Sequence, residues 1–121
     1  MKAFLKVMKA AADPTRVKML KMLQQRRLCV CEIYTVLGIA QSTASKHLKI
    51  LEDAGLVESF KEGLWVNYAL TEGDDSPYAA NLIGNLRHWL NEDPGVQDIT
   101  RRLTGIRRET ICSGRGEPRT A

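Results

Sequence analysis

Between residues 30 and 54 the chain has room for two short helices only, with Gly38-Ile39-Ala40 as the whole connection between them. The first covers about residues 30–37, is apolar, and stops at Gly38, which can end a helix in the left-handed conformation without a Cβ clash. The second is QSTASKHLKILEDAG, closed by Gly55. Within it Ala44, Leu48 and Leu51 fall at i, i+4 and i+7 and form a stripe to be buried, while Gln41, Ser42, Ser45, Lys46 and Lys49 lie away from that stripe. Two short helices around a tight glycine-containing turn form a helix-turn-helix, whose second helix enters the major groove of DNA.

The flanking segments fit that reading. Phe4, Val7, Met8 and Ala11 fall at helical spacing, and Lys6 and Lys9 interrupt every stretch that could serve as the apolar core of a signal peptide. An amphipathic helix over about 3–11 and a cytoplasmic protein are therefore expected. Asp13-Pro14 starts the next helix as N-cap and first helical residue, with Val17, Leu20 and Leu23 as its buried face and Arg26-Arg27 at its end. After the second helix of the pair, Leu56–Lys61 and Leu64–Leu70 read as two strands around a Glu62-Gly63 turn, a wing. In it Val66, Tyr68 and Leu70 are expected to face inward, and Trp65 and Asn67 the other way. Residues 72–77 form a polar linker, and Tyr78, Ala79, Leu82, Ile83, Leu86 and Leu90 mark a helix over about 78–91. Asp93-Pro94 caps a last helix with Val96, Ile99, Leu103 and Ile106 as its stripe. The expected fold is mainly α with a small β-hairpin, a winged helix-turn-helix over residues 1–109. A flexible basic tail follows over 110–121, where SGRGEPRTA has the composition of a disordered segment. The apolar stripes of the helices at about 3–11 and 78–91 exceed what so small a core needs, which points to a homodimer.

Charge does not by itself argue for nucleic acid. Of the net +4, none resides in residues 1–99, which hold 12 Lys/Arg against 12 Asp/Glu; residues 100–121 hold six arginines against Glu109 and Glu117. Local placement carries the case instead. The residues expected to meet DNA are Gln41, Ser42, Thr43, Ser45, Lys46, His47 and Lys49 on the second helix and Lys61 in the wing. Their side chains can bond base edges and phosphates, and the first turn of the helix offers N–H groups to phosphate. No apolar run reaches membrane-spanning length, and no nucleophile–base pair, paired acids or phosphate-cradling glycine loop stands at usable spacing, so an enzyme is not expected.

A second signal is Cys29-Val30-Cys31. Two thiolates two residues apart suit a soft, thiophilic ion. In a regular helix positions i and i+2 lie about 200° apart, so both sulfurs can approach one ion only if part of the segment is non-helical. That segment leads the first helix of the pair, so ligand binding and DNA-competent geometry are in conflict. Cys112, in the basic tail, is the one further cysteine and the possible third thiolate.

Taken together, KAAADPTRVKMLKML, LCVCEI, QSTASKHLKILEDAGLV and EGLWVNYAL, in that order over about residues 4–90, resemble the ArsR/SmtB family of bacterial metal-responsive repressors. The resemblance implies a dimeric winged helix-turn-helix that releases operator DNA when its inducer binds. It places Cys29 and Cys31 on the ligand positions of the arsenic- and cadmium/lead-responsive branches, and Gln41, Ser42, Thr43, Ser45 and Lys46 on the DNA-reading helix. Departures from the family are informative. Tyr34 stands where some arsenite sensors have a third cysteine, residues 1–28 lack the cysteines of the cadmium/lead branch, and His88 stands alone where the zinc-type site needs a cluster. Leu64 replaces a usual basic residue after the wing glycine.

The resulting expectation is a repressor induced by As(III) or Sb(III) through Cys29, Cys31 and Cys112, with no obligatory cofactor. A site of two protein thiolates, for an organic arsenical or completed by a small-molecule thiol, is also open. Alternatives are a repressor answering to cadmium or lead, a thiol redox switch beside Arg26 and Arg27, and a metal-trafficking protein that uses the fold as a scaffold.

Overall fold

The computed structural model describes residues 1–106, so Cys112 and the boundary expected at 109/110 lie outside the described residues. In chain order the elements are α1 (Lys2–Ala11), α2 (Pro14–Gln25), β1 (Leu28–Cys29), α3 (Val30–Leu37), α4 (Gln41–Asp53), β2 (Val57–Glu62), β3 (Trp65–Leu70), α5 (Pro77–Leu86) and α6 (Pro94–Thr104). Three helices start where a short polar side chain caps them ahead of a proline. Asp13 accepts from the Arg16 N–H, Ser76 from Ala79 and Asp93 from Val96. Each satisfies a donor that has no partner inside its helix.

α3 and α4 form the expected pair. Gly38 ends α3 with φ of 69° and returns its N–H to the Tyr34 and Thr35 carbonyls. A Cβ at Gly38 would meet nothing within 4 Å, so the demand there is conformational only. Gly38→Ala is therefore expected to lower stability in urea unfolding by about 1–2 kcal/mol, the cost of a left-handed non-glycine residue, without overpacking. Ala44, Leu48 and Leu51 are fully buried, as their spacing predicts, against a core that includes Met19, Leu20, Met22, Ile33, Val36 and Leu56. Full burial of each leucine contributes about 1.5–3 kcal/mol to holding α4 in place.

The sheet is larger than the expected hairpin. β1 pairs with β3, Leu28 opposite Tyr68 and Cys29 opposite Asn67, so the strand order is β1-β3-β2 and all pairs are antiparallel. The turn also falls one residue later than Glu62-Gly63. Glu62 pairs with Trp65, leaving Gly63-Leu64 as the two-residue loop, with the positive φ of 65° on Gly63. A hairpin loop of that length favours glycine at its first position when only that residue has positive φ. Tyr68 and Leu70 pack on the main core, as expected. Trp65 and Asn67 do take the other face, but that face is covered too: Asn67 is buried and Trp65 packs against the cysteines.

α5 stops at Leu86 instead of continuing to about 91. The reason lies in α2. Lys21 is buried, and its Nζ donates to the Leu86 carbonyl at 2.8 Å, the Trp89 carbonyl at 2.9 Å and Asn91 Oδ1 at 2.8 Å. These bonds gather the chain after α5 around one ammonium, and Leu90 takes a positive φ of 64° there. Burial pushes the Lys21 pKa below the ordinary lysine value. In α1, Val7 and Ala10 are buried, while Phe4, Leu5 and Met8 remain exposed. The Phe4 ring meets Tyr78 of α5 edge-on, with centroids 5.4 Å apart, so the two helices share one apolar surface.

Candidate DNA interface and thiol site

α4 begins at an alanine. Ala40, its N-cap, carries no side-chain acceptor, so the first N–H groups of α4 have no side-chain cap, unlike those of α2, α5 and α6. Such a helix start is suited to meet a phosphate. Gln41, Ser42, Thr43, Ser45, Lys46 and Lys49 are all exposed along one side of α4, and Lys61 is exposed on β2. The Lys49 ammonium lies 3.3 Å from Asp53, a surface pair that leaves the charge solvated. His47 differs from its neighbours. It is half-buried, and its Nδ1 lies 3.1 Å from Arg16 Nη1.

Two contacts fix the wing to the body. Ser59 Oγ donates to Glu52 of α4 at 2.9 Å, and the Arg27 guanidinium lies 5.0 Å from the Phe60 ring centre. Behind them Tyr68 is partly buried, and burial, reinforced by the Glu52 charge, pushes its phenol above the ordinary value. At the tip Leu64 is 68% exposed, so the wing ends in an apolar side chain.

Cys29 and Cys31 straddle the start of α3. Cys29 is the N-cap, with extended backbone (φ −84°, ψ 164°), and Cys31 is the second helical residue. The chain thus places one thiol outside the helix, which is the condition two residues at this spacing must meet to share an ion. Both are buried, 0% and 6% exposed, and they pack together against Tyr34 and Trp65. Cys29 occupies the place of serine in a capping box: its side chain accepts from the Glu32 N–H, and Glu32 Oε1 accepts from the Cys29 N–H at 2.9 Å. Glu32 is itself buried, and its other oxygen lies 3.0 Å from Arg26 Nη1, while Arg26 Nη2 donates to the Ile106 carbonyl at 3.0 Å. The thiol segment is therefore tied through one carboxylate to α2 and to the end of α6. Among the described residues no group of three or more His, Cys, Asp and Glu side chains could hold a metal ion, so these residues offer two thiols.

Glu32 was not singled out by sequence, although C-x-x-E before an apolar run has the form of a capping box. Glu32→Ala leaves the buried Cys29 N–H without its acceptor, and should cost about 1–3 kcal/mol in urea unfolding. Glu32→Gln keeps an oxygen for that N–H and should cost less.

A tight helix pair, a polar uncapped second helix and a three-stranded wing define a winged-helix DNA-binding regulator. The comparisons narrow this class. A family model described as "Bacterial regulatory protein, arsR family" matches residues 13–59. The arsenical resistance operon repressor of Escherichia coli (strain K12) is 35% identical over 111 residues, covering 91% of this chain and 89% of that protein. A cadmium resistance transcriptional regulatory protein CadC homolog of Staphylococcus aureus is 40% identical over 68 residues, 55% of this chain and 56% of that one. Among solved structures, the homodimeric winged helix-turn-helix DNA-binding domain Mb0332 of Mycobacterium bovis aligns with a TM-score of 0.63 at 32% identity, over 75% of this chain and 81% of that one. The chain belongs to the ArsR family of bacterial regulatory proteins, and is a DNA-binding transcriptional repressor rather than an enzyme. No helix among the described residues is long and apolar enough to cross a membrane.

Proposed function

We propose that the chain is the homodimeric repressor of a metalloid-resistance operon, released from its operator when Cys29 and Cys31 take up trivalent arsenic or antimony. The observation that carries this reading is the buried pair of thiols at the start of α3, the helix against which the DNA-reading helix is packed. Sulfur donors select thiophilic ions, and a relative aligned over 91% of this chain is an arsenical resistance operon repressor. Cys112, outside the described residues, is the candidate third thiolate. In the cytoplasm, the proposed compartment, thiols stay reduced and available.

Gln41, Ser42, Thr43, Ser45, Lys46 and Lys49 are assigned to base edges and phosphates, and Lys61 to the flanking backbone. The apolar surface shared by α1 and α5 is assigned to the dimer contact. A twofold dimer presents two copies of α4 to successive major-groove faces about 34–36 Å apart, on an imperfect palindrome.

The thiol site and the DNA reader share a support. Cys29 holds the first turn of α3 through the capping box, so a thiolate committed elsewhere strains that turn and the α3–α4 packing. Gel shift of a labelled duplex under reducing conditions tests the reading. Arsenite and antimonite should release the protein, and zinc should not. Release by cadmium or by peroxide alone would favour the other metal or the redox assignment, and no release by arsenite would refute the inducer.

A further inference from the structure

Apolar burial turns the Ala44, Leu48 and Leu51 stripe of α4 inward, but such contacts are non-directional and define the helix angle less sharply than a directed hydrogen bond. Hydrogen bonds add direction: Ser59 of β2 bonds Glu52 near the end of α4, and Arg16 of α2 bonds His47 in its middle. That guanidinium makes three contacts. Its Nε donates to the Ala10 carbonyl at 2.7 Å and its Nη2 to the Lys9 carbonyl at 3.3 Å, both at the C-terminal end of α1. Its Nη1 lies 3.1 Å from His47 Nδ1. An arginine has donors only, so Nδ1 must be the acceptor and the imidazole must carry its proton on Nε2. One side chain thus joins the helix bearing Phe4, Leu5 and Met8 of the proposed dimer surface to the middle of the DNA-reading helix.

We infer that Arg16 is a positioning residue for DNA binding, and that His47 serves the reader by accepting from Arg16, not by touching DNA. Arg16 sets the angle of α4 relative to α1, and hence the relation between the two copies of α4 across the twofold axis. This rests on the reading of α4 as the DNA-reading helix and α1 as part of the dimer contact. It revises the expectation that His47 is itself a DNA contact.

The asparagine and glutamine variants of His47 separate the two roles. The amide of Asn lies at the level of Nδ1, within reach of Arg16, and that of Gln at the level of Nε2, away from it. The probe is a labelled duplex selected from a random library by the wild-type chain, read by fluorescence anisotropy. Arg16→Met and His47→Gln should each lose about tenfold in affinity, as removal of a charge-assisted hydrogen bond predicts. The double variant should lose no more than Arg16→Met alone, because the contact that His47→Gln removes is already absent without the guanidinium. His47→Asn should bind about fivefold more tightly than His47→Gln, the rescue a positioning role requires. The salt dependence should be unchanged in all variants, since no phosphate contact is lost. Equal losses for Asn and Gln, a multiplied loss of about a hundredfold in the double variant, or a salt slope reduced by about one phosphate contact would overturn the assignment. Failure of the wild-type chain to select any duplex would instead overturn the reading of α4.

Discussion

Met8→Asp is expected to separate the proposed dimer and to lower operator affinity by at least about a hundredfold. Met8 is 36% exposed on α1 beside Phe4 at 39% and Leu5 at 43%, and Phe4 leads directly to Tyr78 of α5, also 39% exposed. The patch crosses two helices, and buried Val7, Ala10, Ala79 and Ile83 anchor its inner side to the core. In a twofold contact each substitution is present twice, so two carboxylates would be desolvated in the same apolar surface. A monomer presents a single α4 and forfeits the gain from joining two half-sites, which for linked sites reaches about 10²–10⁴. Sedimentation should report a monomer, circular dichroism an unaltered helix content, and anisotropy the loss of binding. A Met8→Asp protein that stays dimeric and binds normally would move the dimer contact elsewhere.

The contrast between the caps of α2 and α6 and the end of α5 shows where sequence ceases to be informative. The caps at Asp13 and Asp93 and the stop at Gly38 are local: side chain and backbone within one turn decide them, so they can be read directly. The end of α5 is not local. Periodicity continues to Leu90, yet Lys21, reaching across from α2, collects the carbonyls of Leu86 and Trp89 and closes the helix. β1 is equally invisible, since two residues hold no period and the strand exists only because β3 offers it a partner. The same division runs through the site. The polar side of α4 and the CxC stand in the sequence, whereas the Arg16–His47 contact and the Tyr34–Trp65 packing over the thiols depend on tertiary placement.

Serine at Cys29 or Cys31 is expected to leave operator binding close to wild type and to abolish release by arsenite. The first half follows from the capping box. Serine is a preferred N-cap, so Cys29→Ser keeps the bond to the Glu32 N–H and the start of α3. The second half follows from donor chemistry, because a hydroxyl is a hard, neutral oxygen and cannot replace a thiolate toward a soft ion. The loss is the whole allosteric effect, typically about 5–150-fold in operator affinity. Anisotropy with and without arsenite in reducing buffer measures both halves. Weak DNA binding by the serine variants without arsenite would assign the thiols to packing. Normal release would place the inducer site elsewhere.

In the proposed switch the thiols at the start of α3 and the DNA-reading face of α4 are energetically opposed. Linkage makes that opposition reciprocal: if arsenite weakens operator binding, operator must weaken arsenite binding by the same factor. Calorimetric titration of arsenite into the free protein and into its complex with the selected duplex measures this directly. The predicted result is an arsenite affinity about 5–150-fold lower in the DNA complex. Equal affinities in the two titrations would contradict it.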